Sequence, residues 1–142
     1  MKASRKSVIF LLFGAWLCGC GPAGPELTLT RGIVVRESAS FREGTYLIPG
    51  VKGTDAPVVI IRGREIVLDF RGATLQGSVS DGVEETFQGV GICIDQASKI
   101  VIRNVTVKGY HLGILCKSCE GLQLENVDLS GNSLPQEFTS LP

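Results

Sequence analysis

Gly91–Gly109 and Gly113–Gly131 are two copies of one pattern set twenty-two residues apart, and this repeat restricts the possible folds more than any other feature. Gly91 meets Gly113, Ile92 meets Ile114, Asn104 meets Asn126, Val105 meets Val127 and Gly109 meets Gly131. The apolar positions between them agree as well: Ile94 with Cys116, Ala97 with Cys119, Ile100 with Leu122, Ile102 with Leu124, Val107 with Leu129. A chain that repeats at such a period is built from units that bury their apolar faces on their neighbours.

Within each unit the apolar residues recur at every second position. Ile100 and Ile102, then Val105 and Val107, alternate with Val101, Arg103, Thr106 and Lys108. Leu122, Leu124, Val127 and Leu129 alternate in the same way. Period two puts one set of side chains on one face of a strand. The phase slips at Asn104 and Asn126, and Asn accepts left-handed backbone, so each Asn marks a bend. The pattern predicts three short strands per unit: Val90–Ile94, Lys99–Arg103 and Val105–Lys108, then Leu112–Cys116, Gly121–Glu125 and Val127–Leu129. No helix-length segment joins them, which excludes ordinary βαβ crossovers. Units that return onto themselves would stack Asn104 over Asn126 at a strand spacing of ~4.8 Å and let the side chains form a hydrogen-bonded ladder.

These residues resemble the right-handed parallel β-helix proteins of the pectin-lyase-like superfamily. The resemblance implies an all-β solenoid of about four coils, rising ~20 Å at that spacing. Earlier segments carry the same theme less regularly. Gly44–Ile48, Pro57–Ile61 and the phrase EIVLDFRGATLQG from Glu65 to Gly77 are similar to the opening coils of secreted β-helix proteins. Val67 precedes Val101 by thirty-four residues, so one coil carries an insertion, read as Gly77–Gly89. The segment from Asn132 has no amphipathic cap, and an open solenoid end exposes core and strand edges. The chain is therefore expected to be the N-terminal part of a longer solenoid.

The N-terminus reads as an address. Lys2, Arg5 and Lys6 precede the apolar run Val8–Leu17, which is far shorter than the ~20 residues needed to span a bilayer. Leu17-Cys18-Gly19-Cys20 resembles the lipobox of bacterial lipoproteins, which implies cleavage after Gly19 and a diacylated Cys20. The organisation expected is a signal peptide over 1–19, a tether over 20–26 and repeats over 27–142. Gly21 in place of Asp implies the outer membrane where the cell has one. Acyl chains contribute ~0.8 kcal/mol per buried CH₂, so the membrane partner would be held by lipid alone. The 142 residues carry 14 Lys+Arg and 14 Asp+Glu. Such balance offers no electrostatic footprint for nucleic acid.

Candidate chemistry is sparse. Asp81, Glu84 and Glu85 in the insertion could bind a cation or present paired carboxylates, but an inserted loop is polar simply because it is wet. Cys116-Lys117-Ser118-Cys119 is a C-x-x-C, with Cys93 one unit earlier. The repeat gives Cys116 the inward place of Ile94 and Cys119 that of Ala97, so both are expected in the core as small hydrophobes, with a disulfide as the alternative. Zinc would need a further ligand pair, and His111 is the only histidine. His111, without a convergent partner, reads as a surface or turn residue. The Asn-Thr-Asp, Asp-Asp and Gly-His-Gly signatures of β-helix galacturonases are missing from the sequence. No catalytic residue, metal or cofactor is assigned. The expectation is a non-catalytic, lipid-anchored scaffold in contact with polysaccharide or another envelope component. The alternative is the opening portion of a polysaccharide lyase, glycoside hydrolase or epimerase.

Overall fold

The computed structural model describes residues 24–78 and 87–139. Nine strands make up the described fold: β1 (Glu26–Leu27), β2 (Ile33–Val35), β3 (Ala39–Phe41), β4 (Thr45–Leu47), β5 (Val59–Gln76), β6 (Val90–Lys108), β7 (Leu112–Glu120), β8 (Gln123–Asp128) and β9 (Leu134–Thr139). Every pairing between them is parallel. The sheet runs β1-β3-β5-β6-β7-β9, with β2 and β4 on β5 and β8 on β6. No helix occurs among the described residues.

The register is the one that the repeat predicts. Ile92 pairs with Ile114, Ile94 with Cys116 and Ala97 with Cys119 along β7, and Ile102 pairs with Leu124 and Val105 with Val127 along β8. Val67 pairs with Val101, so the thirty-four-residue step inferred for the earlier pair is also present. The offset changes twice along that pair, at irregularities between Ile61 and Gly63 and between Asp69 and Ala73.

The three short strands expected from Val90 to Lys108 form one long strand instead. Its bends fall on single residues with left-handed backbone: Gln96 at φ 51°, Lys99 at 57° and Asn104 at 61°. The same places bend one unit later, at Ser118 (54°), Gly121 (70°) and Asn126 (55°). A single residue in this region turns the chain while its neighbours keep extended geometry and their ladder bonds, so pairing passes through the corner.

Because the chain bends this way, the segments on both sides of each corner supply one core. Ile61, Ile66, Leu68, Ala73 and Leu75 from β5 join Ile92, Ile94, Ile100, Ile102, Val105 and Val107 from β6 in a single buried cluster. Phe41 and Phe70 stack within it at 4.4 Å between ring centres. Stacked rings of this kind add to the area they bury. At the corner after β6, Tyr110 is fully buried and its hydroxyl donates to Ile48 O at 2.6 Å. Gly77 is required beside it, since a Cβ there would lie 2.5 Å from Gly109 O and 2.8 Å from the Tyr110 ring. Asn132, one unit after Tyr110, accepts from Tyr110 N–H and donates to Val107 O and Leu129 O. The backbone polar groups of this buried corner are thereby paired.

One expectation needs correction. Leu122, Leu124, Val127 and Leu129 pack against the core as predicted but stay half-buried, because the outer edge of β8 has no strand partner among the described residues. In β9, Leu134 pairs with Leu112, Gln136 with Ile114 and Phe138 with Cys116, so the parallel stacking continues past Asn132.

Candidate functional site

One concave surface lies on the outward side of β5, β6 and β7, opposite the main core. Ile60, Cys93 and Leu115 stand in register across these strands. Cys93 and Leu115, with Val90 and Leu112, make a second, smaller buried cluster on this face. Alternation explains Cys93 and Leu115, since Ile92 and Ile94 face the main core and the residue between them faces away.

Toward the end of the same strands the face becomes charged. Arg62 meets Asp95 with Nε at 3.1 Å and Nη2 at 3.0 Å from the same carboxylate oxygen. Asp95 pairs in register with Lys117, so charge alternates from strand to strand. The sequence carries these residues at outward positions, yet nothing in it shows that Arg62 comes beside Asp95. Thr54, Asp55 and Pro57 close this patch into a pocket of about 130 Å³ that also touches Ile60, Cys93 and Lys117.

A larger groove of about 540 Å³ adjoins it and shares Thr54. It is lined by Lys52 and Gly53 together with Phe87, Gln88, Gly89 and His111. The walls are held by tight backbone contact. Gly89 takes φ 75°, where a Cβ would lie 2.6 Å from Val51 N, and Gly89 O accepts from Leu112 N–H at 3.0 Å. Only glycine fits such an approach in a left-handed conformation without strain. The strand β7 thus fixes the Phe87–Gly89 wall, and the 51–54 segment is pressed against that wall.

Burial is the largest influence on Cys93 and pushes its thiol up, with Lys117 pulling it down less. Cys93 is therefore a protonated thiol at neutral pH and a poor nucleophile. Asp95 is engaged by Arg62. Among the described residues no group of three or more His, Cys, Asp or Glu side chains is arranged to hold a metal ion. An aromatic ring, an amide, an imidazole and an ammonium along an open groove are suited to a polar ligand with apolar faces.

A second concavity of about 350 Å³ follows the bend beside Asn104 and Asn126, with Thr106 and Asp128 in its wall and Leu124 and Val127 beneath. Ser130 hydroxyl and backbone N–H both bond Asp128, which lowers its carboxyl from the ordinary range.

The structure sets His111 in the groove lining, exposed; sequence reading makes it a surface or turn residue and does not place it at a groove. Lys52, Phe87 and Gln88 were not singled out by sequence at all, since they come together only through the loop contacts. Cys20, Asp81, Glu84 and Glu85 lie outside the described residues. No protein-family model, no curated protein and no solved structure matches this chain.

Proposed function

We propose that this chain is an exported, lipid-anchored right-handed parallel β-helix whose lateral groove binds a polysaccharide without cleaving it. Three features support the β-helix reading: the all-parallel pairing, the bends recurring at Gln96/Ser118, Lys99/Gly121 and Asn104/Asn126, and the single core fed from both sides of each bend. Wound strands of this type need no helical crossover, because the chain returns to its starting side after every unit.

The observation that carries the binding role is the groove lined together by Lys52, Phe87, Gln88 and His111. A sugar ring presents an apolar face to an aromatic side chain and hydroxyls to amide, imidazole and ammonium groups. An open groove lets a long polymer pass through where a closed pocket would accept only its end. The anchor rests on the lipobox at Cys20, which would hold the groove at a membrane surface.

The test is native gel electrophoresis of the chain through gels that each contain one bacterial envelope polysaccharide. Retardation by at least one polymer is expected. Phe87→Ala and Lys52→Ala should each weaken it about tenfold, a loss of about 1.4 kcal/mol. Glu43→Ala, away from the groove, should leave it unchanged. Migration unaffected by every polymer, or retardation indifferent to both groove substitutions, would reject the reading. Shortening of the polymer by the chain would assign catalysis in its place.

A further inference from the structure

We propose that the open edge of the sheet formed by β1, β2 and β4 is a membrane-docking face, which seats an apolar groove on the bilayer that holds the Cys20 anchor. The inference rests on the lipid-anchor reading and adds an orientation to it. Among the described residues each of these strands is bonded on one side only, β1 to β3, and β2 and β4 to β5. Pro25, Leu27, Val34, Val35 and Ala39 line a groove of about 310 Å³ on this edge, with Arg36 and Glu37 as its charged members. Val34 is 42% exposed and Leu47, on β4, is 56% exposed. Two of the four large apolar side chains left in water among the described residues therefore lie on this one edge. Apolar surface gathered in one place marks a contact site.

The chain itself brings this edge to the membrane. Gly24 is pressed against the corner beside the groove, where a Cβ would collide with Ser38 O. Ser40 N–H and Arg42 N–H donate to Pro25 O and Leu27 O, each at 2.9 Å. The point at which the chain enters the fold is thus fixed next to Glu37 and Ala39 of the groove lining. Cys20 precedes Gly24 by four residues, a span of at most ~14 Å when fully extended. A lipid on Cys20 keeps the groove close to the headgroups. Tethering makes docking an intramolecular step, so a small apolar contact is enough to populate it.

Charge decides the kind of surface. Over residues 24–48, Arg31, Arg36 and Arg42 are matched by Glu26, Glu37 and Glu43. Glu26 also lies 3.6 Å from Arg42 and 3.5 Å from Arg71. With no net charge to attract anionic lipid, the contact is apolar and a zwitterionic bilayer suffices. Docking by this edge points the other end of the sheet away. β9 lies four strand spacings from β2, through β5, β6 and β7, which is about 19 Å at ~4.8 Å each.

The only tryptophan of the sequence, Trp16, falls in the expected signal peptide, so the processed chain has no tryptophan emission of its own. Val34→Trp, Leu47→Trp and, as comparison, Leu134→Trp on β9 (45% exposed) are made in the full chain. Each is produced in a bacterium, checked for lipid on Cys20 by mass spectrometry and for folding by circular dichroism, and inserted into phosphatidylcholine vesicles. Emission from Val34→Trp and Leu47→Trp should shift to the blue and be quenched when the acyl chains carry bromine near the headgroup. Added salt should not change either effect, and Leu134→Trp should show neither. Lipid on Cys20 without quenching at Val34→Trp and Leu47→Trp would overturn the docking and leave the anchor standing. Equal quenching at Leu134→Trp, or quenching only with phosphatidylglycerol present, would do the same. A processed chain without lipid on Cys20 would overturn the anchor reading, and the docking with it.

Discussion

Asn126 Nδ2 donates to Asn104 Oδ1 at 2.9 Å, and Asn104 Nδ2 in turn donates to Asp69 Oδ1 at 2.9 Å. One line of side-chain hydrogen bonds therefore joins three successive strands at their bends. Asp69 ends the line as an ionised acceptor and also accepts from Arg71 N–H at 2.8 Å. A bond to an ionised partner is the stronger kind. Each Asn donates toward the preceding unit, so the ladder has a direction.

The ladder and the left-handed backbone of Asn104 can be separated by substitution. Asn104→Gly keeps the φ of 61° accessible and removes both side-chain bonds, so it should cost about 1–3 kcal/mol. Asn104→Ala loses the same bonds and adds backbone strain of about 1 kcal/mol. Asn126→Gly loses one exposed bond and should cost less than Asn104→Gly. Urea titration of the three variants checks the ranking, and an Asn104→Gly as stable as the parent chain would show the ladder to be idle.

Burial also ranks the apolar positions along one register line. Ile102 is completely buried, whereas its partner Leu124 is half-buried at the β8 edge. Ile102→Ala should cost about 2–5 kcal/mol, with the cavity adding to the lost transfer energy. Leu124→Ala should cost about half of that, since its side chain keeps part of its contact with water in the folded state. The comparison is made in the same denaturant titration, and equal losses would mean that the β8 edge is covered in solution.

Much of this fold was legible because hydrophobic alternation and a strict repeat are written directly in residue order. The register of β6 on β7 and β8, the Asn104–Asn126 stacking and the step from Val67 to Val101 all followed from spacing alone. Other bends were hidden because Gln96, Lys99 and Ser118 are not residues that favour left-handed backbone; the register forces them into it. β9 was not delineated as a strand, since Gln136 puts a polar residue at the register place of Ile114. β2 and β3 were passed over because three-residue strands carry too little alternation to detect. The groove was illegible for a different reason. Lys52, Phe87 and His111 are far apart in the chain and meet only because two loops pack at Gly89.

The Arg62–Asp95 pair should behave as a partly screened interaction. Its side chains are 42% and 23% exposed, and both guanidinium bonds reach one oxygen. A double-mutant cycle with Arg62→Ala and Asp95→Ala should give a coupling of up to about 1 kcal/mol at low salt. The coupling should shrink in high salt if the pair is open to solvent, as the exposure indicates. Thermal unfolding of the four proteins at two salt concentrations measures it, and a coupling of zero at both would leave the pair only a role in shaping the pocket.

Tyr110 ties stability to alkaline pH. Its ring is fully buried, and burial pushes the phenol well above its ordinary value of 10.0, with Arg31 opposing weakly. Below that ordinary value both the folded and the unfolded chain keep the phenol proton, and the contribution of Tyr110 is complete. Above it the unfolded chain releases the proton while the folded chain retains it. Stability must then fall as pH rises, by at most about 1.4 kcal/mol per pH unit from this one group. Tyr110→Phe lacks the proton and also the bond to Ile48 O at 2.6 Å, so it should be less stable by about 1–2 kcal/mol at neutral pH. The gap between the two proteins should narrow above pH 10, since only the parent chain pays this part of the alkaline loss. Lysine titration affects both alike and cancels in the difference. Urea midpoints taken at neutral pH and at steps above pH 10 give that difference directly, and a gap that stays constant would mean that the Tyr110 hydroxyl is open to water.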